Sequence, residues 1–357
     1  MQIECPECRQ HTKIRDEKIP KDSFLVRCTH CKALLQVAIN VAALKLVEDE
    51  PVKVVTACVD RLAKHYDLRQ DPVYLGSKTE SLERIVLDKF LSGEIKLPVL
   101  PAVAVRVNRL VNDGSPSGKD LADAVGIDRN IAARVLMMAN SASYRSQGPI
   151  QDLDNAIARL GFKTVESVVL ASVVRGLFKT DFQPLARLME VDWEHSITCA
   201  ITAFEIASRT RFRDKESAFT AGLLLDIGNV VCAEILAALA AEQPQKFKAS
   251  EDEIASLLVG LHVILGCPVL KNWSIPESIA RAVACHHESE DFEDTLVDIV
   301  SLANAICVKI GKSLAPNPQL SLTSLIAAQR LEFTDLTLAS IEVELEDRVR
   351  DMKAILD

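Results

Sequence analysis

The sequence predicts a mainly all-α chain with a small β unit at its N-terminus. Three observations carry this. Aromatic residues make up only 4% of the chain, while Ala, Leu, Val and Ile dominate, a balance that favours helices over a β-sandwich. From Leu97 onward, apolar residues recur at helical spacing and are interrupted by Gly, Pro and Asn. The first forty residues are different: four cysteines and several turn formers surround one short alternating run, Phe24-Leu25-Val26-Arg27. At 357 residues the chain has room for about two domains at roughly 150 residues each. A hydrophobic content of 48% and a charged content of 25% are those of an ordinary folded protein.

The segments divide as 1–40 (β unit), 41–95 (helical connector), 96–312 (main helical domain) and 313–357 (C-terminal helical extension). Within the connector, Val52 to Tyr66 and Ser81 to Leu91 read as helices, separated by Gln70-Asp71-Pro72 and Gly76-Ser77. In the main domain Asp128 is placed to cap a helix whose Ile131, Val135 and Met138 form one stripe. Asp152 or Asp154 starts the next helix, and Gly161 is placed to close it in a left-handed conformation. Thr164 opens a helix over Val165 to Phe178 that is apolar on all sides. Further helices are expected over Ser217 to Ala241, Ser250 to Asn272, Pro276 to His287 and Thr295 to Ile310. Ala315-Pro316-Asn317-Pro318 is a linker before a charged last helix, Leu338 to Leu356. Residues 321–357 hold eight acidic and four basic side chains.

Cys5-Pro6-Glu7-Cys8 and Cys28-Thr29-His30-Cys31 form two Cys-x2-Cys knuckles nineteen residues apart. Two thiolates of one knuckle reach one ion, and two knuckles complete a closed tetrahedron. Four thiolates select zinc or iron over hard cations. The spacing resembles a zinc ribbon and implies one structural Zn2+ per chain, held by Cys5, Cys8, Cys28 and Cys31, with no position left for catalysis. Residues 1–40 carry too little apolar surface to fold alone, so the metal would supply their folding free energy. They are slightly basic, seven Lys/Arg against five Asp/Glu, but have few aromatics to stack bases. With a net charge of −9, nucleic-acid binding is therefore disfavoured, and a protein-docking role for the ribbon is expected.

The remaining chemistry lies in an ordered series: His195 after Trp193-Glu194, Asp226 within Leu225-Asp226-Ile227-Gly228-Asn229, then His262, then His286-His287. This order resembles the HD superfamily of metal-dependent phosphohydrolases. Residues 97–311 resemble more closely its HDOD relatives, through Leu97-Pro98-Val99-Leu100-Pro101, Leu136-Met137-Met138-Ala139-Asn140-Ser141-Ala142 and Asn155-Ala156-Ile157-Ala158-Arg159-Leu160-Gly161. Trp193-x-His195-Ser196, Gly222-Leu223-Leu224, Trp273-Ser274-Ile275-Pro276 and His286-His287-Glu288 complete the match. The resemblance implies a helical output domain found with bacterial cyclic-dinucleotide, chemotaxis and two-component machinery, acting through contacts with signalling proteins.

Two departures strip the implied metal site. Leu225 stands where the eponymous histidine belongs, and a leucine has no lone pair to give. Asn304, in Leu302-Ala303-Asn304, replaces the distal aspartate. Asp298, six residues earlier, points about 120° away on a 3.6-residue helix. Of the degenerate positions His195, Leu225, Asp226, His262, His286, His287 and Asn304, the survivors are expected to be structural. His195 would hydrogen-bond across the core, and Asp226 would cap the turn at Gly228 or pair internally. His286 and His287, as helical neighbours, would diverge rather than meet on one ion. Cys58, Cys199, Cys232, Cys267 and Cys307 read as packing residues.

The expectation is thus a non-catalytic, cytoplasmic signal-transduction module with no catalytic residue. A metal-dependent phosphohydrolase with a depleted site and a zinc-ribbon nucleic-acid-binding regulator are the alternatives. The ten cysteines point to a reducing compartment and metal ligation. The longest apolar stretch, Val230 to Ala241, contains Glu234 and is too short to span a bilayer, so no membrane association is expected. No Gly-rich phosphate loop and no Gly-x-Ser-x-Gly elbow occurs.

Overall fold

The computed structural model describes residues 2–4, 11–13, 23–27, 34–38, 82–112, 117–144, 148–242, 244, 247–287 and 293–357. The chain divides into two units, Met1–Lys96 and Leu97–Asp357.

In the first unit four short strands form two antiparallel hairpins. Strand β1 (Gln2–Glu4) pairs with β2 (His11–Lys13), and β3 (Ser23–Arg27) pairs with β4 (Leu34–Ala38), with Phe24 opposite Val37 and Val26 opposite Leu35. The alternating run noted in the sequence is β3. Cys5, Cys8, Cys28 and Cys31 lie outside the described residues, as does the connector helix expected over residues 52–66. The second expected connector helix is present as α1 (Leu82–Leu91).

The second unit is helical throughout its described residues. Five helices build its first layer: α2 (Ala102–Asn112), α3 (Gly118–Val125), α4 (Arg129–Ala139), α5 (Leu153–Leu160) and α6 (Phe162–Leu177). Their caps follow the sequence. Ser117 and Asp120 form a reciprocal capping box on α3, and Asp128 and Asp152 accept from the exposed N–H groups of α4 and α5. Gly161 joins α5 to α6 at φ 78° and ψ 160°, an extended conformation with positive φ rather than the expected left-handed helical one. Helix α6 consequently starts at Phe162, two residues before Thr164. Val107, Leu121, Val125, Val135, Ile157 and Val165 fill the core of this layer.

The other layer is organised by α7 (Gln183–Arg209), twenty-seven residues long and buried along most of its length. Around it pack α8 (Lys215–Leu223), α9 (Gly228–Glu242), α10 (Glu251–Asn272), α11 (Glu277–Cys285) and α12 (Thr295–Lys309). Trp193 is fully buried on α7 against Phe178, and Trp273 donates its indole N–H to the Pro98 carbonyl at 2.8 Å. The short α13 (Ile326–Arg330) leads to the last helix, α14 (Asp335–Leu356), whose Leu338, Ile341, Leu345 and Val349 form its buried stripe.

Two helix boundaries depart from the sequence expectation, and both matter for the site. Ser217 to Ala241 is not one helix: it breaks between Leu223 and Gly228, so Leu225 and Asp226 sit in a turn. The apolar run concealed this break because both sides of it are buried. Second, α11 stops at Cys285 rather than His287, leaving both histidines in the following turn.

Residues 215–242 and helix α10 are long and apolar enough to cross a membrane by length and composition. In this fold 67% and 56% of their most apolar windows are buried inside the protein, as expected of core helices.

Candidate functional site

The site is built where α7, the α8–α9 turn, α10 and the turn after α11 converge. Helix α7 presents Asp192, His195 and Cys199 on one face, at helical spacing. The α8–α9 turn reaches that face because its glycines allow backbone contact. A Cβ on Gly222 would lie 2.6 Å from the Cys199 carbonyl oxygen, and one on Gly228 would lie 1.9 Å from that of His262. Asp226, between these glycines, is thereby held between α7 and α10. Its Oδ2 is 3.4 Å from His195 Nε2 and its Oδ1 3.5 Å from His262 Nε2.

The imidazoles are oriented by backbone carbonyls. Nδ1 of His195 donates to Lys312 O at 2.6 Å, Nδ1 of His262 to Val259 O at 2.9 Å, and Nδ1 of His286 to Val283 O at 2.6 Å. A carbonyl can only accept, so each Nδ1 carries a proton and each Nε2 faces inward. Ser301 on α12 locks the second turn by donating to the His286 carbonyl at 2.7 Å.

The expectation that His286 and His287 diverge is corrected here. Nε2 of His262 lies 3.4 Å from that of His286 and 3.0 Å from that of His287, and the donor atoms of all three rings gather within 4.8 Å. Helix α11 ends at Cys285, and the turn after it, with His286 still at φ −64° and ψ −20°, brings both side chains to His262. His287 can donate to His262, but the His262–His286 contact sets two lone pairs against each other. A cation at that point would relieve this contact.

Electrostatics divide the acids. Burial opposes ionisation of Asp226, but His262, His195 and His287 outweigh it and hold its carboxyl below the usual range. Burial and the neighbouring Asp226 charge push fully buried Asp192 well above it, so Asp192 is the protonated partner. Burial, then the neighbouring rings, holds His286 well below the ordinary histidine value. The same causes bring His287 to about 4, although one edge of it is open to solvent.

The two substituted positions behave as apolar and neutral groups. Leu225 is buried at 1% exposure, and Asn304, half-buried on α12, adds no hydrogen bond to the cluster among the described residues. Asp298 is directed elsewhere, toward Arg330 at 3.3 Å. A hydrolytic cation held by the HD ligand set does not fit, since the set lacks two of its members and no chemical step can be assigned to it.

Sequence reasoning did not name Asp192, and it read Cys199 and Cys307 as packing residues only. Cys199 Sγ is 3.4 Å from His195 Nε2, and the donor atoms of His195, Cys199 and Cys307 lie within 4.8 Å of one another. The available signal was spacing: Cys199 is four residues after His195, and Cys307 three after Asn304.

The architecture and the site define a helical domain with a buried cluster of histidines, cysteines and aspartates at its centre. Residues 97–289, more than half of the chain, match the HDOD domain profile, and the protein belongs to the HDOD family. Residues 1–35 match a zinc-ribbon domain. Among solved structures, a Shewanella amazonensis SB2B protein, provisionally assigned as a metal-dependent phosphohydrolase, is similar at 22% identity and TM-score 0.61. The alignment covers 77% of this chain and 98% of that one. An HDOD domain protein of unknown function from Geobacter sulfurreducens is 25% identical, with TM-score 0.59 and 76% and 96% of the two chains covered. A Marinobacter aquaeolei VT8 protein, provisionally assigned to signal transduction, has 20% identity, TM-score 0.54 and coverage of 86% and 67%. A search of curated proteins gave no match.

Proposed function

We propose that this protein is a non-catalytic regulatory module of bacterial signal transduction, working in the cytoplasm through contacts with other signalling proteins. One structural zinc ion, held by Cys5, Cys8, Cys28 and Cys31, stabilises its N-terminal ribbon. The observation that carries the reading is Leu225: a buried apolar side chain fills the position from which the HD superfamily supplies a metal ligand. Asn304 removes the anionic ligand as well. A hydrolytic metal site needs a full set of fixed ligands, and here the set lacks the residues replaced by Leu225 and Asn304. The charged outer face of α14 and the ribbon are the surfaces on which partners are expected to dock.

The test is turnover of simple phosphoesters and cyclic dinucleotides by the purified full chain, with magnesium, manganese, iron and zinc supplied in turn. No metal-dependent turnover above that of an Asp226→Ala control is expected. Metal-dependent hydrolysis that disappears in His195→Ala would overturn the proposal. It would favour the second reading, a phosphohydrolase with a depleted site, which the convergence of His262, His286 and His287 beside Asp226 supports.

A further inference from the structure

The donors gathered on the α7 side of Asp226 are not those of the HD ligand set. His195 and Asp226 belong to that set; Cys199 and Cys307 do not. Each thiol sits one helical turn beyond a site position, Cys199 four residues after His195 on α7 and Cys307 three after the substituted Asn304 on α12. Both cysteines are fully buried, whereas Asn304 is half-buried, so the thiols lie on the inner side of the old site.

The three His/Cys donors lie close enough to share one ion. His195 Nε2 is 3.4 Å from both Cys199 Sγ and Asp226 Oδ2, and Cys307 Sγ lies within 4.8 Å of the other two His/Cys donors. Zinc bonds of about 2.0–2.1 Å to nitrogen or oxygen and about 2.3 Å to sulfur give tetrahedral edges of roughly 3.3 Å between N and O and about 3.6 Å between N and S. The orientation is also that of a ligand. The Nδ1 proton of His195 is committed to the Lys312 carbonyl, which leaves the Nε2 lone pair facing the carboxylate and the thiol.

We propose that His195, Cys199 and Cys307 form a thiolate-bearing zinc site that joins α7 and α12. Two thiolates stand in for the histidine and aspartate lost at Leu225 and Asn304. This turns an oxygen- and nitrogen-donor site into one that selects a soft or borderline ion, zinc in place of magnesium or manganese. With its three protein ligands all buried, the ion braces α7 against α12. Binding releases two thiol protons, which makes loading weaker as pH falls.

The experiment is elemental analysis of the zinc-loaded full chain combined with zinc X-ray absorption, which counts sulfur neighbours without any activity readout. With the ribbon loaded, two zinc ions per chain averaging about three sulfurs are expected. The Cys199→Ala/Cys307→Ala variant should lose one ion and return to about four sulfurs on the remaining one. If the ribbon holds no zinc, one ion with about two sulfurs equally supports the site. A single zinc with four sulfurs would overturn the proposal. So would two ions averaging two sulfurs that persist in the double variant, which would place the second ion on His262, His286 and His287. Because the wild-type sulfur count is informative alone, the test does not depend on the variant folding.

Discussion

At the scale of single residues, the decisive ones are small or neutral. Gly228 packs its backbone against α10, and any side chain there would collide with the His262 carbonyl. Gly228→Ala is expected to cost about 3 kcal/mol, the upper end for overpacking a core, because backbone rather than a flexible side chain must move. A urea denaturation series would check this; a loss below about 0.5 kcal/mol would mean that the α8–α9 turn adjusts freely. Leu225→His restores an imidazole to the vacated position, at the expense of burying a polar ring without a prepared partner. A loss of about 1–3 kcal/mol is expected, recovered in part when zinc or nickel is added. A thermal melt with and without metal separates the two effects.

Histidine burial also fixes a pH dependence. His286 and His287 have folded values below the unfolded value of 6.5, His287 at about 4. Below pH 6.5 the unfolded chain therefore binds more protons than the native one, and stability falls as pH falls. Asp298 acts in the opposite sense. Its folded value is raised from 3.8 to about 6, chiefly by burial, so its effect on stability becomes less favourable as pH rises between those values. The histidine contribution is isolated by comparing wild type with His286→Asn. The wild type should lose more of its denaturant midpoint between pH 7.5 and 5.5, and equal losses would refute the assignment.

At the scale of elements, α14 is joined to α7 by charge as well as by its apolar stripe. Glu205 on α7, with a side chain 8% exposed, pairs with Arg209 and with Arg348 of α14, while Arg209 also meets Glu344 of α14 at 3.0 Å. Both arginines are more open to solvent than Glu205, so the two sides of this cluster should respond unequally. Glu205→Gln is expected to cost about 1 kcal/mol, since the freed arginines can turn to water. Arg209→Ala with Arg348→Ala leaves a buried carboxylate unpaired and should cost about 3–5 kcal/mol. Limited proteolysis would show early cleavage within α14 in the double variant and not in Glu205→Gln.

For the whole molecule, the division after Lys96 separates a unit whose residues 1–35 match a zinc ribbon from one with its own helical core. Removing zinc from the ribbon is expected to unfold residues 1–40 while the helical circular dichroism of residues 97–357 persists. Proteolysis after mild chelation should therefore yield a resistant fragment beginning near Leu97. Loss of helical signal in step with ribbon zinc would contradict this separation.

The sequence by itself determined the helical class, the capped helices of the first layer and the HDOD family. These depend on local chemistry that a linear pattern records: an Asp or Ser before an apolar stripe, a knuckle of cysteines, a motif in order. It also showed that Leu225 has no lone pair and Asn304 no charge to offer a metal, because that is a property of the side chains alone. Tertiary structure decided what the surviving groups do together. Whether His286 and His287 meet depended on α11 ending at Cys285, and nothing in the apolar spacing of residues 276–287 marks that end. Whether Asp226 joins two histidine-bearing helices depended on a turn hidden in a continuous apolar run, where burial on both sides erases the periodicity that would reveal a break. Cys199 and Cys307 looked like packing residues one at a time, and they became a site only when α7 and α12 were brought side by side. Convergence of donors is a property of distance between elements, and distance between elements is set by packing rather than by any local pattern.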